Sequence, residues 1–116
     1  ARGTHQATSP GAQYGVQFYA PHYCPVPRAT DPGIVACSFI LSGLRVFDIS
    51  DPLHPKEAAY FNKPAPNVLP LTSGSYAMSA PSFDIANKQV WFSDGDSGFY
   101  AVKLTNGAWP KGLTAR

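Results

Sequence analysis

Charged residues are scarce in this chain of 116 residues, at 14%, against about 25% in an average soluble protein. The nine lysines and arginines are scattered and form no basic run, which argues against nucleic acid as a partner. No run of about 18 apolar residues occurs, so the sequence predicts no membrane-spanning segment. The chain also begins without a methionine and without the apolar core of a signal peptide, as expected for a processed or excised piece.

The pattern of an amphipathic helix is absent too, because no segment repeats its apolar residues at about every 3.6 positions. The chain instead contains 12 prolines and 10 glycines, and 13% of its residues are aromatic. Glycine and proline form tight turns, whereas aromatic residues favour strands. The sequence therefore predicts an all-β protein of short antiparallel strands.

One strand-and-turn unit occurs twice. Residues 42–51 read Ser-Gly-Leu-Arg-Val-Phe-Asp-Ile-Ser-Asp, a Ser-Gly turn followed by a strand and an Asp-containing turn, and residues 97–106 follow the same plan. The two glycines, Gly43 and Gly98, stand 55 positions apart (98 minus 43). A strand unit that repeats at about 40 to 50 residues is typical of propeller blades. The repeat therefore predicts a β-propeller architecture.

Turn residues divide the chain into two strand units with irregular segments around them. The first unit is a four-stranded antiparallel meander, whereas the second shows three clear strands and lacks an obvious fourth. A propeller needs at least about four blades, so we expect about two blades of a larger ring, completed in cis or by another chain. The predicted segments are a tail (1–14), a first blade (15–62), a proline-rich linker (63–78), an incomplete second blade (79–110) and a polar tail (111–116).

A known repeat resembles the first unit. Residues 43–52, Gly-Leu-Arg-Val-Phe-Asp-Ile-Ser-Asp-Pro, with Pro55 three positions further on, resemble the LVIVD repeat of bacterial β-propellers. Residues 22–61 and 91–110 are similar to the C-terminal region of exported LVIVD-repeat proteins of actinobacteria. The second unit departs from the pattern, since Lys-Leu-Thr-Asn at 103–106 replaces the Asp-hydrophobic-Ser-Asp and no proline follows. The resemblance implies a propeller that is secreted or lies at the cell surface, and it implies no particular activity.

Two cysteines, Cys24 and Cys37, enclose twelve residues. If they lie on neighbouring antiparallel strands, a disulfide between them is geometrically reasonable. The alternative is a pair of buried free thiols. The bridge is favoured, because two cysteines so placed in a proline- and glycine-rich β chain suit an exported protein.

Three side chains are weak candidates for metal ligands. Asp94 and Asp96, in Asp-Gly-Asp-Ser-Gly, could offer oxygen atoms to Ca²⁺, but Thr105 stands where an EF-hand has glutamate. A plain hairpin turn favours the same residues and is the preferred interpretation. His22 could bind a soft metal together with Cys24, although two ligands are too few for a closed site. No cofactor is predicted.

No catalytic residue is predicted either, because the sequence lacks a Gly-x-Ser-x-Gly nucleophile motif. Asp48 is expected to cap its own turn, and Trp109 is expected to attach the C-terminal segment to the preceding blade. Arg45 and Tyr100, at equivalent positions of the two units, are expected to face solvent or a groove between blades. One aromatic set is predicted to form the core between the sheets: Phe39, Phe47, Phe83, Trp91, Phe92 and Phe99.

These features favour a non-enzymatic scaffold or binding module that associates with further blades. The alternative is part of a propeller enzyme, a metal-dependent hydrolase or oxidoreductase, with an axial active site shared with blades outside this sequence. A third possibility is an oligomeric surface assembly whose interface is formed by open blade edges.

Overall fold

Seven antiparallel strands form two sheets in the computed structural model, which describes residues 20–63, 76–95 and 97–115. The first sheet has the order β1-β2-β3-β4 and the second has the order β5-β6-β7. The strands are β1 (Ala20–Tyr23), β2 (Ile34–Ile40), β3 (Gly43–Asp48), β4 (Lys56–Phe61), β5 (Ser82–Asp84), β6 (Gln89–Asp94) and β7 (Gly98–Lys103). The predicted all-β class with antiparallel meanders is confirmed, and the two sheets are consistent with blades of a propeller.

The described segments contain strands, turns and bends but no helix. Consequently, none of these residues belongs to a helix of the length and apolarity that crossing a membrane requires. Residues 1–19, which include the predicted tail, and most of the predicted linker (63–78) lie outside the described residues.

Strand β2 is the most buried strand of the first sheet. Only Val35 is half-buried, and every other residue of β2 is buried. Residues 34–41 form an apolar run that only Ser38 interrupts. Such a run predicts a strand that is buried on both faces, and the burial of β2 confirms it. A tight turn through Leu41 and Ser42 then leads into β3, and Leu41 adopts a positive φ of 63°.

The two sheets pack face to face, and the protein core lies between them. The alternation of β6 shows the principle, because Val90 and Phe92 point inward and are buried while Trp91 between them is exposed. The buried cluster consists of Ile34, Ala36, Leu44, Val46, Ala77, Val90, Phe92 and Leu113. Its two-sheet composition explains why strands of three to seven residues are stable here, since neither sheet could bury its apolar face alone.

The segment just before β5 connects the two sheets. Tyr76 forms a β-bridge with Ile40 at the end of β2, and Ala77 forms one with Asp94 at the end of β6. Two side chains of the first sheet also bond to this segment: the Ser38 hydroxyl donates to the Ser79 carbonyl, and His22 Nδ1 lies 2.8 Å from the Met78 carbonyl oxygen. The connecting segment therefore fixes the position of one sheet relative to the other.

The chain leaves the second sheet after β7 and crosses to the first sheet. Trp109 packs against the core, and its indole Nε1 donates to the Leu113 carbonyl at 2.9 Å. Leu113 is fully buried, although the sequence suggests a polar tail at 111–116. Arg28, in the loop between β1 and β2, donates to the Gly112 carbonyl at 3.2 Å. These contacts hold the segment after β7 against the core and the loop before β2.

Candidate functional site

The second sheet has one open face, which points away from the first sheet. Residues of β6 and β7 alternate, so the side chains between the core positions face outward. Two of them are large and apolar: Trp91 is 40% exposed and Phe99 is 62% exposed. Their rings meet edge to face with centroids 5.9 Å apart. Together they form an exposed aromatic pair on this face, which we call the open face.

The prediction that all six aromatic residues form the core between the sheets is wrong for four of them. Phe39 and Phe47, whose ring centroids are 6.0 Å apart, lie on the face of the first sheet that points away from the second. Trp91 and Phe99 lie on the open face. Phe92 lies in the core and Phe83 packs against it, but the alternation of the strands places Trp91 and Phe99 on the other side of the sheet. The signal that could have found them is the period of two. Once Phe92 is assigned inward, its neighbour Trp91 must point outward.

The polar atoms of the open face are largely satisfied within the chain. The indole Nε1 of Trp91 donates to Gln89 Oε1 at 3.0 Å, so a partner that covers Trp91 leaves no unpaired donor behind. Asp84 and Lys103 flank Gln89 in the same cross-strand row. The open face therefore combines an exposed aromatic pair with a neighbouring row that contains one acidic and one basic residue, a composition that suits contact with another protein.

The direction of equivalent side chains is the same in both sheets. Leu44 follows Gly43 and points into the core toward the second sheet, where it is buried. Phe99 follows Gly98 and points away from the first sheet. Passing from the first sheet through the second, both side chains point the same way. The open face of the second sheet is thus equivalent to the inner face of the first sheet, which is covered by the second sheet.

The other face of the first sheet carries a buried ion pair. Arg45 Nη1 lies 2.9 Å from Glu57 Oε1, and the two side chains are only 3% and 9% exposed. Arg45 Nε also donates to the Ser42 carbonyl, and its guanidinium lies 4.8 Å from the centre of the Tyr60 ring. Arg45 therefore faces neither solvent nor the core between the sheets, while Tyr100, at the equivalent position, stacks on Phe92 in that core.

The two cysteines are joined by a disulfide in the structure. Cys24 follows β1 and Cys37 lies in β2, and their Cα atoms are 4.1 Å apart. The described residues contain no free cysteine. The bond attaches the loop after β1 to β2.

The structure does not bring the metal candidates together as a ligand set. Asp94 is buried and accepts a hydrogen bond from the Ser97 amide at 2.9 Å, which is a turn contact. His22 contacts the Met78 carbonyl, and Asp96 lies outside the described residues. Over residues 20–63, 76–95 and 97–115, no three His, Cys, Asp or Glu side chains are grouped so as to hold a metal ion.

The turn after β3 forms a shallow polar cavity of about 370 Å³. Asp48 Oδ1 accepts hydrogen bonds from both the Ser50 amide and the Ser50 hydroxyl, and these bonds hold the pKa of the Asp48 carboxyl below its ordinary value. Asp51 accepts from the Leu53 amide and from His54 Nδ1 at 2.8 Å. The expected turn-capping role of Asp48 is confirmed. The carboxylates of Asp48 and Asp51 both accept hydrogen bonds from groups of the same turn.

Comparison with known proteins adds no identity. The sequence matches no protein-family model and no curated protein.

Proposed function

We propose that this chain is a non-enzymatic scaffold or binding module, a two-blade segment of an exported LVIVD-type β-propeller. It associates with further blades through the open face of the second sheet. Those blades belong to the same protein in cis or to another chain. The partner surface is protein, and the aromatic pair of Trp91 and Phe99 forms the centre of the contact.

The common direction of Leu44 and Phe99 carries this proposal. The first sheet buries Leu44 against the second sheet, and the second sheet offers Phe99 at the equivalent place on its open face. Repeats that stack in one direction bury each face against the next unit, and the last open face needs a partner. The equivalence supports a further sheet as the partner of the open face, because Leu44, the equivalent of Phe99, is already covered by a sheet within the chain.

The disulfide supports location outside the reducing cytosol. Bonds such as the one between Cys24 and Cys37 persist in oxidising compartments and are rare where glutathione keeps thiols reduced. Secretion or display at the cell surface is therefore the proposed location of the scaffold.

A photo-cross-linking experiment tests the proposal. Replacing Phe99 by p-benzoylphenylalanine in the protein as it naturally occurs should give a cross-link to a strand of a further sheet. The same replacement at Leu53, an exposed apolar residue in the turn before β4, is the matched control and should give no such product.

A fluorescence measurement provides the second readout. The chain has two tryptophans, so Trp109→Phe leaves Trp91 as the reporter. Its quenching by acrylamide should be weaker in the natural assembly than in the isolated chain. Absence of a cross-link from position 99, together with equal quenching in both states, contradicts the proposed docking face.

A further inference from the structure

Strand β7 has an outer edge that no strand of the described residues covers. Its equivalent in the first sheet, β3, pairs with β2 on one side and with β4 on the other. β7 pairs with β6 alone within the described segments. The first sheet therefore has four strands and the second has three.

Two glycines show that no described residue fills the space beside the start of β7. Gly43 and Gly98 begin β3 and β7 with φ values of 78° and 103°. A Cβ on Gly43 would meet the Phe61 carbonyl oxygen at 2.2 Å and Asn62 Cα at 2.8 Å, where β4 ends. A Cβ on Gly98 would meet no atom within 4 Å. Among residues 20–63, 76–95 and 97–115, the backbone that closes over the start of β3 thus has no counterpart over the start of β7.

An apolar groove runs along the same edge. It lies between β4 and β7, has a volume of about 80 Å³, and is lined by Ala59 and Phe61 on one side and Val102 and Leu104 on the other. Val102 and Leu104 pack against the core but are only half-buried. A strand added to β7 would cover these side chains with its own apolar residues and extend the existing interface between the sheets.

We propose that the outer edge of β7 binds an extended strand of the β4 type by antiparallel β-addition. Such a strand supplies main-chain hydrogen bonds to β7 and places apolar side chains at alternate positions toward the first sheet. In β4 these positions are held by Ala59 and Phe61. The inference rests on the proposed function in one respect, since it treats the second sheet as a blade that a partner strand completes.

A synthetic peptide tests this edge directly. The probe has the sequence of residues 55–63, which contains β4, and it is titrated into the ¹⁵N-labelled full chain. We expect saturable binding, with shifts and hydrogen-exchange protection at alternate amides of Gly98–Lys103. The same peptide with Ala59→Pro, which removes an amide donor and restricts the backbone, should not bind.

Gly98→Ala is the decisive variant of the chain. Its Cβ has no neighbour among the described residues, but it would clash with a strand docked as β4 docks on Gly43. Peptide affinity should fall at least about tenfold, which is about 1.4 kcal/mol. Gly107→Ala is the matched control, because Gly107 also has a positive φ and open space around it but lies beyond β7. Circular dichroism shows that both variants are folded.

Three results would overturn the inference: no binding to the wild-type chain, equal binding to the Gly98→Ala chain, or equal binding of the Ala59→Pro peptide. None of them bears on the open face, which the cross-link from position 99 tests separately. If the peptide binds but position 99 gives no cross-link, the strand site on β7 stands and the proposed stacking of blades on the open face is refuted. The reverse outcome leaves the function and removes the strand site.

Discussion

Arg45 and Glu57 form a buried ion pair between neighbouring strands, with 2.9 Å between Nη1 and Oε1. Their contact depends on a β-bulge: the register of β3 and β4 shifts between Val46 and Phe47, which leaves Ala58 without a partner. In a regular strand Glu57 and Tyr60, three positions apart, would face opposite sides. The extra residue turns Glu57 to the side of Arg45, which is how bulges redirect side chains.

Removing one member of this pair should be costly. Glu57→Gln leaves the Arg45 charge without its carboxylate in a buried setting, and we expect a loss of about 3 kcal/mol in the free energy of unfolding. The double variant Arg45→Met/Glu57→Leu should lose less unfolding free energy than the losses of Arg45→Met and Glu57→Leu added together. The reason is that the apolar pair leaves no buried charge to desolvate. Urea denaturation at constant m measures both.

The exposed pair of Arg28 and Asp31, at 3.9 Å, provides the control. Asp31→Asn keeps a residue that tolerates the positive φ of 46° at this position and removes only the charge. Its effect should stay below about 1 kcal/mol. Equal losses for Glu57→Gln and Asp31→Asn would show that burial of the Arg45 pair carries no energetic weight.

The two repeat glycines should differ sharply in their tolerance of alanine. Gly43→Ala places a Cβ against the Phe61 carbonyl oxygen at 2.2 Å, so backbone must move and we expect a loss of more than about 3 kcal/mol. The Cβ of Gly98→Ala meets no described atom, so we expect only the strain of a positive φ, a loss of about 1–2 kcal/mol in the free energy of unfolding. Thermal and urea unfolding of both variants measure the difference. Similar losses would contradict the role of β4 in closing over Gly43.

Local patterns predicted the parts of this fold that depend on neighbours in sequence. The apolar run of β2 predicted a strand covered on both faces, and the Ser-Gly turns predicted where β3 and β7 begin. Both are set by alternation and turn chemistry, which a short stretch of sequence contains.

Features that depend on register could not be predicted in the same way. The pairing of Arg45 with Glu57 requires the bulge at Ala58, and nothing in the residues around Ala58 marks it. The exposure of Trp91 and Phe99 depends on which side of the second sheet the first one covers. The burial of Leu113 follows from contacts with the first sheet, far away in sequence. For this reason, a prediction from aromatic composition alone placed Trp91 and Phe99 in the core, although they lie on the open face.

The disulfide should contribute strongly to stability for so short a loop. Replacing Cys24 and Cys37 together by serine removes a link between positions 13 apart, and we expect a loss of about 3 kcal/mol in the chain-entropy description. Urea denaturation of the wild type with and without reductant should give a similar difference. A gel mobility that reductant leaves unchanged, or a double variant as stable as the wild type, would contradict this.

The Asp48 carboxyl should titrate below its ordinary range because of Ser50. The hydrogen bond from the Ser50 hydroxyl is the largest cause of the lowered pKa, and the bond from the Ser50 amide is the second. Ser50→Ala removes the first bond and keeps the second, so the pKa should rise part of the way toward the ordinary value. Carbon-detected NMR titration of the side-chain carboxyl measures it, and the Asp84 carboxyl, whose pKa is lowered by Asn87, is the internal control.

The sign of the stability effect follows from this lowered pKa. A carboxyl whose pKa is lower in the folded state stabilises the fold at pH values above its unfolded pKa, about 3.9, and that contribution disappears as the pH falls through the folded value. The wild type should therefore lose more stability than Ser50→Ala between about pH 4 and the folded pKa of Asp48. Parallel pH profiles for the two proteins, or an Asp84 titration that moves with Asp48, would contradict the assignment of the shift to the Ser50 hydroxyl.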